Sequence, residues 1–139
     1  MNQDVRFEVA QTFYAILDEG AADRIDNVFA SGAVDHDGQG TSDARITHRG
    51  LVEVLAAGFS DRQHTLELVL PIADDRVFVR WRMTGRHTGP FLGIPATERV
   101  VDFYGHDLLR VADGQIAEVW HIEQLLQLTQ QLTAETSAA

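Results

Sequence analysis

The sequence contains no cysteine and no lysine. Without cysteine, the chain has no disulfide bond, no thiolate nucleophile and no thiolate metal site. Without lysine, no side-chain amine is available to form an imine with a carbonyl substrate, so Schiff-base catalysis by a lysine is excluded. All eleven basic residues are therefore arginine. If the chain is an enzyme, its proton transfers must come from histidines, carboxyl groups and hydroxyl groups.

Positive charge and long apolar runs are also scarce. The net charge is −10, whereas a protein that binds nucleic acid needs clustered cations to neutralise phosphates. No apolar run approaches the roughly 20 residues of a membrane span, and the first residues lack the basic and apolar segments of a signal peptide. We therefore expect no nucleic-acid partner, no membrane partner and a cytoplasmic location, with one domain over residues 1–139.

The first part of the chain has the spacing of amphipathic helices. Four helices are predicted in the whole chain, over residues 4–18, 22–29, 50–59 and 124–132. Gly20 stands where the first of them is expected to end, because glycine is favoured just after a helix. The polar, Gly-rich segment 31–43 is predicted to be a loop, and residues 133–139 a disordered tail.

Beyond Asp61, β-branched and aromatic residues become frequent. Four strands are predicted, over residues 64–72, 76–86, 99–111 and 115–122. Asp113 and Gly114, between the last two, are typical of a tight β-hairpin turn. Helices followed by an antiparallel sheet indicate an α+β fold class.

Motifs in the second half resemble a known family. GRHTGPFLGIP spans residues 85–95, DLLRVADGQIAEVW spans 107–120, and LLQLTQQL follows at 125–132. With the order of helices and strands, they resemble the SnoaL-like polyketide cyclases of the nuclear transport factor 2-like superfamily. The resemblance implies a cone-shaped half-barrel, in which N-terminal helices pack on a curved antiparallel sheet. It also implies cofactor-independent ring closure of a small, hydrophobic polyketide or dicarbonyl substrate by intramolecular aldol condensation.

The resemblance also implies two catalytic positions. In the family, an acid/base aspartate near the end of the last strand and a histidine on the preceding strand are associated with the reaction. Counted from the shared Asp-Gly turn, the aspartate position holds His121 and the histidine position holds Asp107. The two residue types are present but exchanged. The expected catalytic pair is therefore His121 with Asp107, with His121 acting first as base and then as acid.

Strand alternation predicts which other side chains share a cavity with His121. The substrate-binding residues expected from alternation are Trp81, Met83, Phe103 and Glu123, with His87 near the end of its strand. The resemblance adds His36 at the mouth of the cone, and the isomerase alternative below adds Tyr14 of the first helix. Such a set describes an apolar cavity with a few polar groups, which is the usual form of a small-molecule site. His48 and His64 are interpreted as surface or helix-cap residues. No histidine pair has the H-x-H or H-x-x-x-H spacing of metal ligands, so no metal is predicted.

Two other function classes stay open. One is an isomerase or hydrolase on the same fold, for example a ketosteroid-isomerase-like enzyme with Asp35 as base and the Tyr14 hydroxyl as its partner. An epoxide-hydrolase-like site would need an inward arginine, whereas Arg80 and Arg82 are expected on the face opposite Trp81. The other class is a non-catalytic domain that binds a small ligand, since fold alone does not give function.

The convex face of the predicted sheet is unusually apolar. Its expected residues are Phe78, Tyr104, Trp120 and Ile122. A monomer normally exposes less contiguous apolar surface than this. We therefore expect a homodimer formed through this face.

Overall fold

The computed structural model of the chain describes residues 4–134. Helix α1 (Val5–Glu19) begins after Asp4, whose carboxylate accepts a hydrogen bond from the Arg6 N–H at 2.9 Å. The helix ends at Gly20, which has a φ of 71°. Glycine adopts this left-handed conformation without strain, so the end of α1 lies where the sequence predicted it.

Three further helices are α2 (Ile25–Val28), α3 (Ala44–Gly58) and α4 (Leu125–Thr133). The helix predicted over 22–29 is divided, because a 3-10 turn precedes α2 and Phe29 already belongs to a strand. Helix α3 begins before the predicted residue 50, since the Asp43 carboxylate caps it by accepting hydrogen bonds from two backbone N–H groups. Thr133, placed in the predicted tail, ends α4, while residues 135–139 lie outside the described residues.

Six strands form one open sheet. They are β1 (Phe29–His36), β2 (Thr41–Asp43), β3 (Phe59–Ile72), β4 (Arg76–His87), β5 (Val100–Ala112) and β6 (Gln115–Glu123). Their order across the sheet is β2-β1-β6-β5-β4-β3. Neighbouring strands are antiparallel except β1 and β6, which run parallel. The sheet is therefore mixed, and the prediction of a purely antiparallel sheet is corrected at this pair.

The segment 31–43 is not a loop. It contains most of β1, all of β2 and the turn between them. The polar composition of this segment concealed the strand, because between residues 31 and 36 only Ala33 and Asp35 are buried. Gly32 has a φ of 78°, and the pairing of β1 with β6 shifts register between Phe29 and Val34, so the alternation is also broken by a bulge.

The β5–β6 hairpin confirms the turn predicted at Asp113 and Gly114. Both residues have positive φ, 52° and 75°, which a two-residue hairpin turn of this kind requires. The turn pairs Ala112 with Gln115, and a bulge between Arg110 and Val111 then shifts the register by one residue. Asp107 lies directly opposite His121 as a result of this shift.

The helices cover the concave face of this curved sheet and produce an α+β, cone-like architecture. Strands β4 and β5 alternate between buried and partly exposed residues, with the buried side toward the helices. Near the helical layer, Phe13 and Ile16 of α1 and Val52 of α3 are almost fully buried. None of the described helices has the length and apolar character needed to cross a membrane.

Candidate active site

A cavity of about 270 Å³ lies between the helices and the concave face of the sheet. Its walls are mainly apolar and include Phe13 and Leu17 of α1, Leu55 of α3 and Phe103 of β5. The lining residues with polar side chains are Tyr14, Asp35, Asp37, Thr47, His48, His64, Trp81, Asp107, His121 and Glu123. An apolar cavity with a restricted set of polar groups is typical of a small-molecule site.

Asp107 is a buried carboxyl group in the cavity wall, 6% exposed. Its Oδ2 accepts a very short hydrogen bond from the Tyr14 hydroxyl and a second one, at 3.1 Å, from Trp81 Nε1. Burial raises the pKa of Asp107 to about 7, although the hydrogen bond from Tyr14 acts in the opposite direction. Tyr14 is itself buried beside this carboxyl group, and its pKa lies well above the ordinary value.

Gly105 explains how the Trp81 indole reaches Asp107. The two residues are register partners on β4 and β5, and the indole lies over the glycine. A Cβ atom at Gly105 would lie 2.0 Å from Trp81 Cζ2, which is impossible without displacement of the ring. Absence of a side chain at this position therefore allows the indole N–H to meet the carboxyl group.

His121 is held between two carboxylates. Its Nε2 lies 2.8 Å from Asp35 Oδ1 and its Nδ1 lies 3.0 Å from Glu123 Oε2. The hydrogen bond with Asp35, followed by that with Glu123, raises the pKa of His121 to about 10. Burial alone would raise the pKa of Asp35, but hydrogen bonds from His121 and from Thr47, at 2.6 Å, outweigh it and lower that pKa.

The two residues of the expected catalytic pair lie opposite each other on β5 and β6, and both line the cavity. Each nevertheless forms its hydrogen bonds with other residues, and within residues 4–134 no hydrogen bond joins Asp107 to His121. The carboxylates that raise the pKa of His121 are Asp35 and Glu123. Strand alternation indicated the shared cavity, but it could not show which partner each side chain selects.

Of the expected substrate-binding residues, Tyr14, Trp81, Met83, Phe103 and Glu123 line the cavity. His36 and His87 are absent from its walls.

His36 follows the inward-facing Asp35 on β1 and therefore faces the other side of the sheet. Its ring stacks on Trp120, with centroids 4.6 Å apart, and its Nε2 lies 2.8 Å from Glu118 Oε2. His87 is fully buried, and its Nδ1 lies 2.9 Å from Thr97 Oγ1. His87 thus fixes the segment that follows β4, which contributes Phe91 to the cavity wall.

The interpretation of His48 and His64 as surface or cap residues is wrong. His48 lies within α3, is 4% exposed and lines the cavity, because the helix begins at Ala44 and places His48 on its inner face. Burial lowers the pKa of His48. His64 lies inside β3, which begins at Phe59, and its ring also lines the cavity. Both errors follow from starting α3 and β3 too late in the sequence.

Among residues 4–134, no three histidine or carboxylate side chains form a group that would hold a metal ion. The polar side chains of the cavity walls are carboxyl, imidazole, hydroxyl and indole groups, which can transfer protons or form hydrogen bonds. Acid–base catalysis on a small substrate commonly uses a buried carboxyl group that titrates near neutral pH and has apolar neighbours.

Comparison with known proteins places the chain in a family. Residues 7–132 match the profile of the SnoaL-like polyketide cyclases. Among curated proteins, none matches the chain at a significant level.

Solved structures share the fold over nearly the whole chain. TsrD from Streptomyces laurentii is 24% identical with a TM-score of 0.84, covering 97% of this chain and 99% of its own. AclR from Streptomyces galilaeus, a suggested hydroxylase, is 21% identical with a TM-score of 0.83. The match covers 96% of this chain and 84% of the AclR chain. IdmH from Streptomyces antibioticus, a suggested polyketide cyclase, is 25% identical with a TM-score of 0.79. The match covers 91% of this chain and 97% of the IdmH chain. Because the profile match spans residues 7–132, which is most of the sequence, the chain belongs to the SnoaL-like polyketide cyclase family.

Proposed function

We propose that the chain is a cofactor-independent cyclase that closes a ring in a polyketide or related dicarbonyl substrate by an intramolecular aldol-type reaction. The observation that carries the proposal is Asp107, a buried carboxyl group in an apolar cavity with a pKa of about 7. Such a group exists in both protonation states near neutral pH, which suits acid–base catalysis. Family membership supports the same reaction class.

An aldol closure needs one proton removed from the carbon beside a carbonyl group and one proton delivered to the acceptor oxygen. Asp107 suits the second task. Its Oδ2 accepts hydrogen bonds from Tyr14 and Trp81, so a proton on the carboxyl group resides on Oδ1. Donation from Oδ1 would convert the developing alkoxide to a hydroxyl group, a contribution on the order of 10²- to 10⁴-fold in rate.

His121 has a different task in this proposal from the base-then-acid role expected from the sequence. At neutral pH it is a cation whose two N–H groups are both donated to carboxylates. No lone pair is left to accept a proton from the substrate, and the cation with two carboxylates carries a net charge of −1. We assign His121 to positioning, because it holds Asp35 and Glu123 in the cavity wall and joins β6 to β1.

The substrate is expected to be neutral and small. No arginine contributes to the cavity wall within the described part of the chain, and the sequence has no lysine to bind an anionic group. Arg80 and Arg82 lie toward the outer face, where they bind Glu67 and Asp102, so an epoxide-hydrolase-like set of inward charges is not favoured. The cavity volume of about 270 Å³ lies just below the range of about 300–1,000 Å³ that is usual for small-molecule sites, which favours a small substrate.

The test is cyclisation of linear aryl triketones, followed by chromatography and mass spectrometry, because the initial aldol product is an isomer of the substrate. Asp107→Asn should reduce the rate by about 10²-fold or more. Asp102→Asn is the matched control, since Asp102 lies on the same strand and is engaged by Arg82 on the outer face. Equal rates for the two variants, or no acceleration by the unmodified protein, would contradict the proposal.

An isomerase is the second candidate, and the contact between Tyr14 and Asp107 is what favours it. In ketosteroid isomerase a tyrosine and a protonated aspartic acid stabilise the enolate oxygen of the substrate. Asp35 is a poor base for this reaction, because hydrogen bonds lower its pKa. Cyclohex-3-en-1-one distinguishes the candidates, since its conversion to the conjugated enone, without cyclisation of triketones, would indicate an isomerase. Binding without any turnover would indicate a ligand-binding domain.

We also propose a homodimer through the outer face of the sheet. Ile122 is 78% exposed there, beside the half-buried Phe78, Tyr104 and Trp120. Burial of this patch removes apolar surface from water and therefore favours association. Sedimentation should give a dimer at micromolar concentration and a monomer for Ile122→Asp. A monomeric unmodified protein would contradict this assembly.

A further inference from the structure

His64 and Asp18 form a second ionisable pair in the cavity wall. Asp18 Oδ1 lies 2.6 Å from His64 Nδ1, while Asp18 Oδ2 accepts the His64 backbone N–H at 2.9 Å. The His64 side chain is 2% exposed. Asp18 lies near the end of α1 and His64 lies within β3, so this contact fixes the helix against the sheet and holds the imidazole in one orientation.

The carboxylate determines where the proton of a neutral His64 ring lies. A carboxylate only accepts hydrogen bonds, so the imidazole must donate its Nδ1–H to Asp18. The lone pair then lies on Nε2. Within residues 4–134 no hydrogen bond engages this atom, although the ring lines the cavity. No group in the described residues donates a hydrogen bond to Nε2, so its lone pair can accept a proton from a substrate.

His64 lies close to the residues that hold Asp107. Its ring centroid is 5.7 Å from that of Tyr14 and 5.2 Å from that of Trp81, and both of these side chains donate hydrogen bonds to Asp107. A substrate in this part of the cavity would contact the His64 imidazole and the buried carboxyl group of Asp107 together. This juxtaposition differs from that of His121, whose two nitrogen atoms are both engaged.

We propose that His64, oriented by Asp18, is the base that removes the carbon-bound proton, while Asp107 supplies a proton to the acceptor oxygen. The assignment rests on the proposed cyclase function and gives its two proton transfers to two different residues. It makes His64 a catalytic residue and Asp18 a positioning residue, in the way that an aspartate orients and stabilises the histidine of a hydrolase triad.

The step is balanced without any further reactant. The C–H bond breaks as Nε2 of His64 takes the proton, and the electron pair forms the new C–C bond to the acceptor carbonyl carbon. The electron pair of that C=O bond moves to oxygen, which takes the proton from Asp107 Oδ1. His64 is then an imidazolium beside the Asp18 carboxylate, Asp107 is a carboxylate, and exchange with solvent restores both groups.

Four charged or titratable groups surround His64. Asp18 and Tyr14 face it from α1, Asp107 lies behind Tyr14 and Trp81 on β5, and Arg62 of β3 donates hydrogen bonds to the backbone carbonyls of Leu17 and Asp18. The Asp18 carboxylate stabilises the imidazolium that forms during the reaction. The rate should also require a protonated Asp107, so kcat/KM should fall as the pH rises above about 7.

The test uses 5-nitrobenzisoxazole, whose ring opens after removal of one C–H proton and which needs no cyclisable chain. The unmodified protein should accelerate the opening, and His64→Ala should lower this rate by about 10²-fold. Added imidazole should restore part of it by occupying the vacated space. His106→Ala is the control, because His106 is exposed on the outer face and contacts Arg80. An unchanged rate in His64→Ala, or no acceleration by the unmodified protein, would overturn the assignment.

Asp18→Asn and nuclear magnetic resonance provide a readout that a merely structural role would not alter. The asparagine oxygen can still accept the His64 backbone N–H, while its NH₂ group would donate to Nδ1 and move the ring proton to Nε2. Nitrogen chemical shifts should show an unprotonated Nε2 in the unmodified protein and a protonated one in Asp18→Asn, with loss of 5-nitrobenzisoxazole opening. A protonated Nε2 in the neutral ring of the unmodified protein would refute the inference, even if a variant failed to fold.

The two proposals fail in different ways. Opening of 5-nitrobenzisoxazole that depends on His64, without cyclisation of any triketone, would overturn the cyclase function and leave the base in place. Cyclisation that depends on Asp107, with probe opening independent of His64, would overturn the base and leave the cyclase function in place.

Discussion

Asp107→Asn should change the pH dependence of stability in a way that requires no substrate. The carboxyl group is buried, and the folded chain retains its proton up to a pKa of about 7, whereas the unfolded chain loses it near 3.8. Asparagine has nearly the same shape, and its amide oxygen can accept the hydrogen bonds that Tyr14 and Trp81 donate. The substitution therefore removes the titration while retaining much of the packing.

The sign and size follow from the two pKa values. Between them the folded state binds more protons than the unfolded state, so the contribution of Asp107 to stability is complete below about 3.8 and decreases as the pH rises to about 7. At 1.36 kcal/mol for each pKa unit, the full decrease is about 4 kcal/mol. Relative to the unmodified protein, Asp107→Asn should thus gain stability as the pH rises through this range.

Urea unfolding of both proteins from about pH 4.5 to about pH 8 measures the difference. Other titrating groups cancel in this comparison, because both chains contain them. Asp102→Asn should show no such gain, since Arg82 lowers the pKa of Asp102 through a hydrogen bond at 2.7 Å. A difference between the unmodified protein and Asp107→Asn that stays constant across the range would refute the raised pKa, and with it the assigned acid.

Three further results are expected. Tyr14→Phe removes a hydrogen bond that lowers the pKa of Asp107, so the group should titrate at higher pH, as measured by the pH profile of turnover or by carbon resonances of the carboxyl group. Gly105→Ala should displace Trp81 and alter its fluorescence, whereas Gly50→Ala, which meets no atom within 4 Å, should not. His121→Gln should cost stability at neutral pH; because the contribution of His121 is complete below about pH 6.5 and is lost as the pH rises through about 10, urea unfolding should show the two proteins converging there.

The sequence predicted the elements whose patterns are strong and local. The Asp113–Gly114 turn combines a residue pair typical of tight hairpins with a preceding strand, β5, whose buried and exposed residues alternate. The hairpin could therefore be predicted, and Asp107 and His121 could be assigned to the same cavity. The bulge between Arg110 and Val111, which brings these two residues directly opposite each other, has no such local signal. Parallel pairing of β1 with β6 could not be predicted in this way, because it joins residues that are far apart in the chain and leaves no local pattern.

The remaining errors concern where elements begin. Asp43 is a good helix cap, but it follows a Gly-rich segment, so Gly50 gave a more obvious boundary. Starting the helix late left His48 outside it, and starting β3 late treated His64 as a cap. His36 was misassigned for a related reason, because a segment predicted as a loop has no inward and outward faces. If β1 had been predicted as a strand, Asp35 and His36 would have been assigned to opposite faces of the sheet.

Residue type alone did not determine which histidine suits proton transfer, because the partners decide it. His121 has carboxylates at both nitrogens, so its pKa rises to about 10 and its neutral form is rare near neutral pH. His64 has one carboxylate, at Nδ1, and no hydrogen bond among residues 4–134 at Nε2. A base needs a free lone pair at the pH of the reaction. By that criterion we assign His121 to a structural role and propose that the base is His64 of β3, a strand on the other side of Asp107.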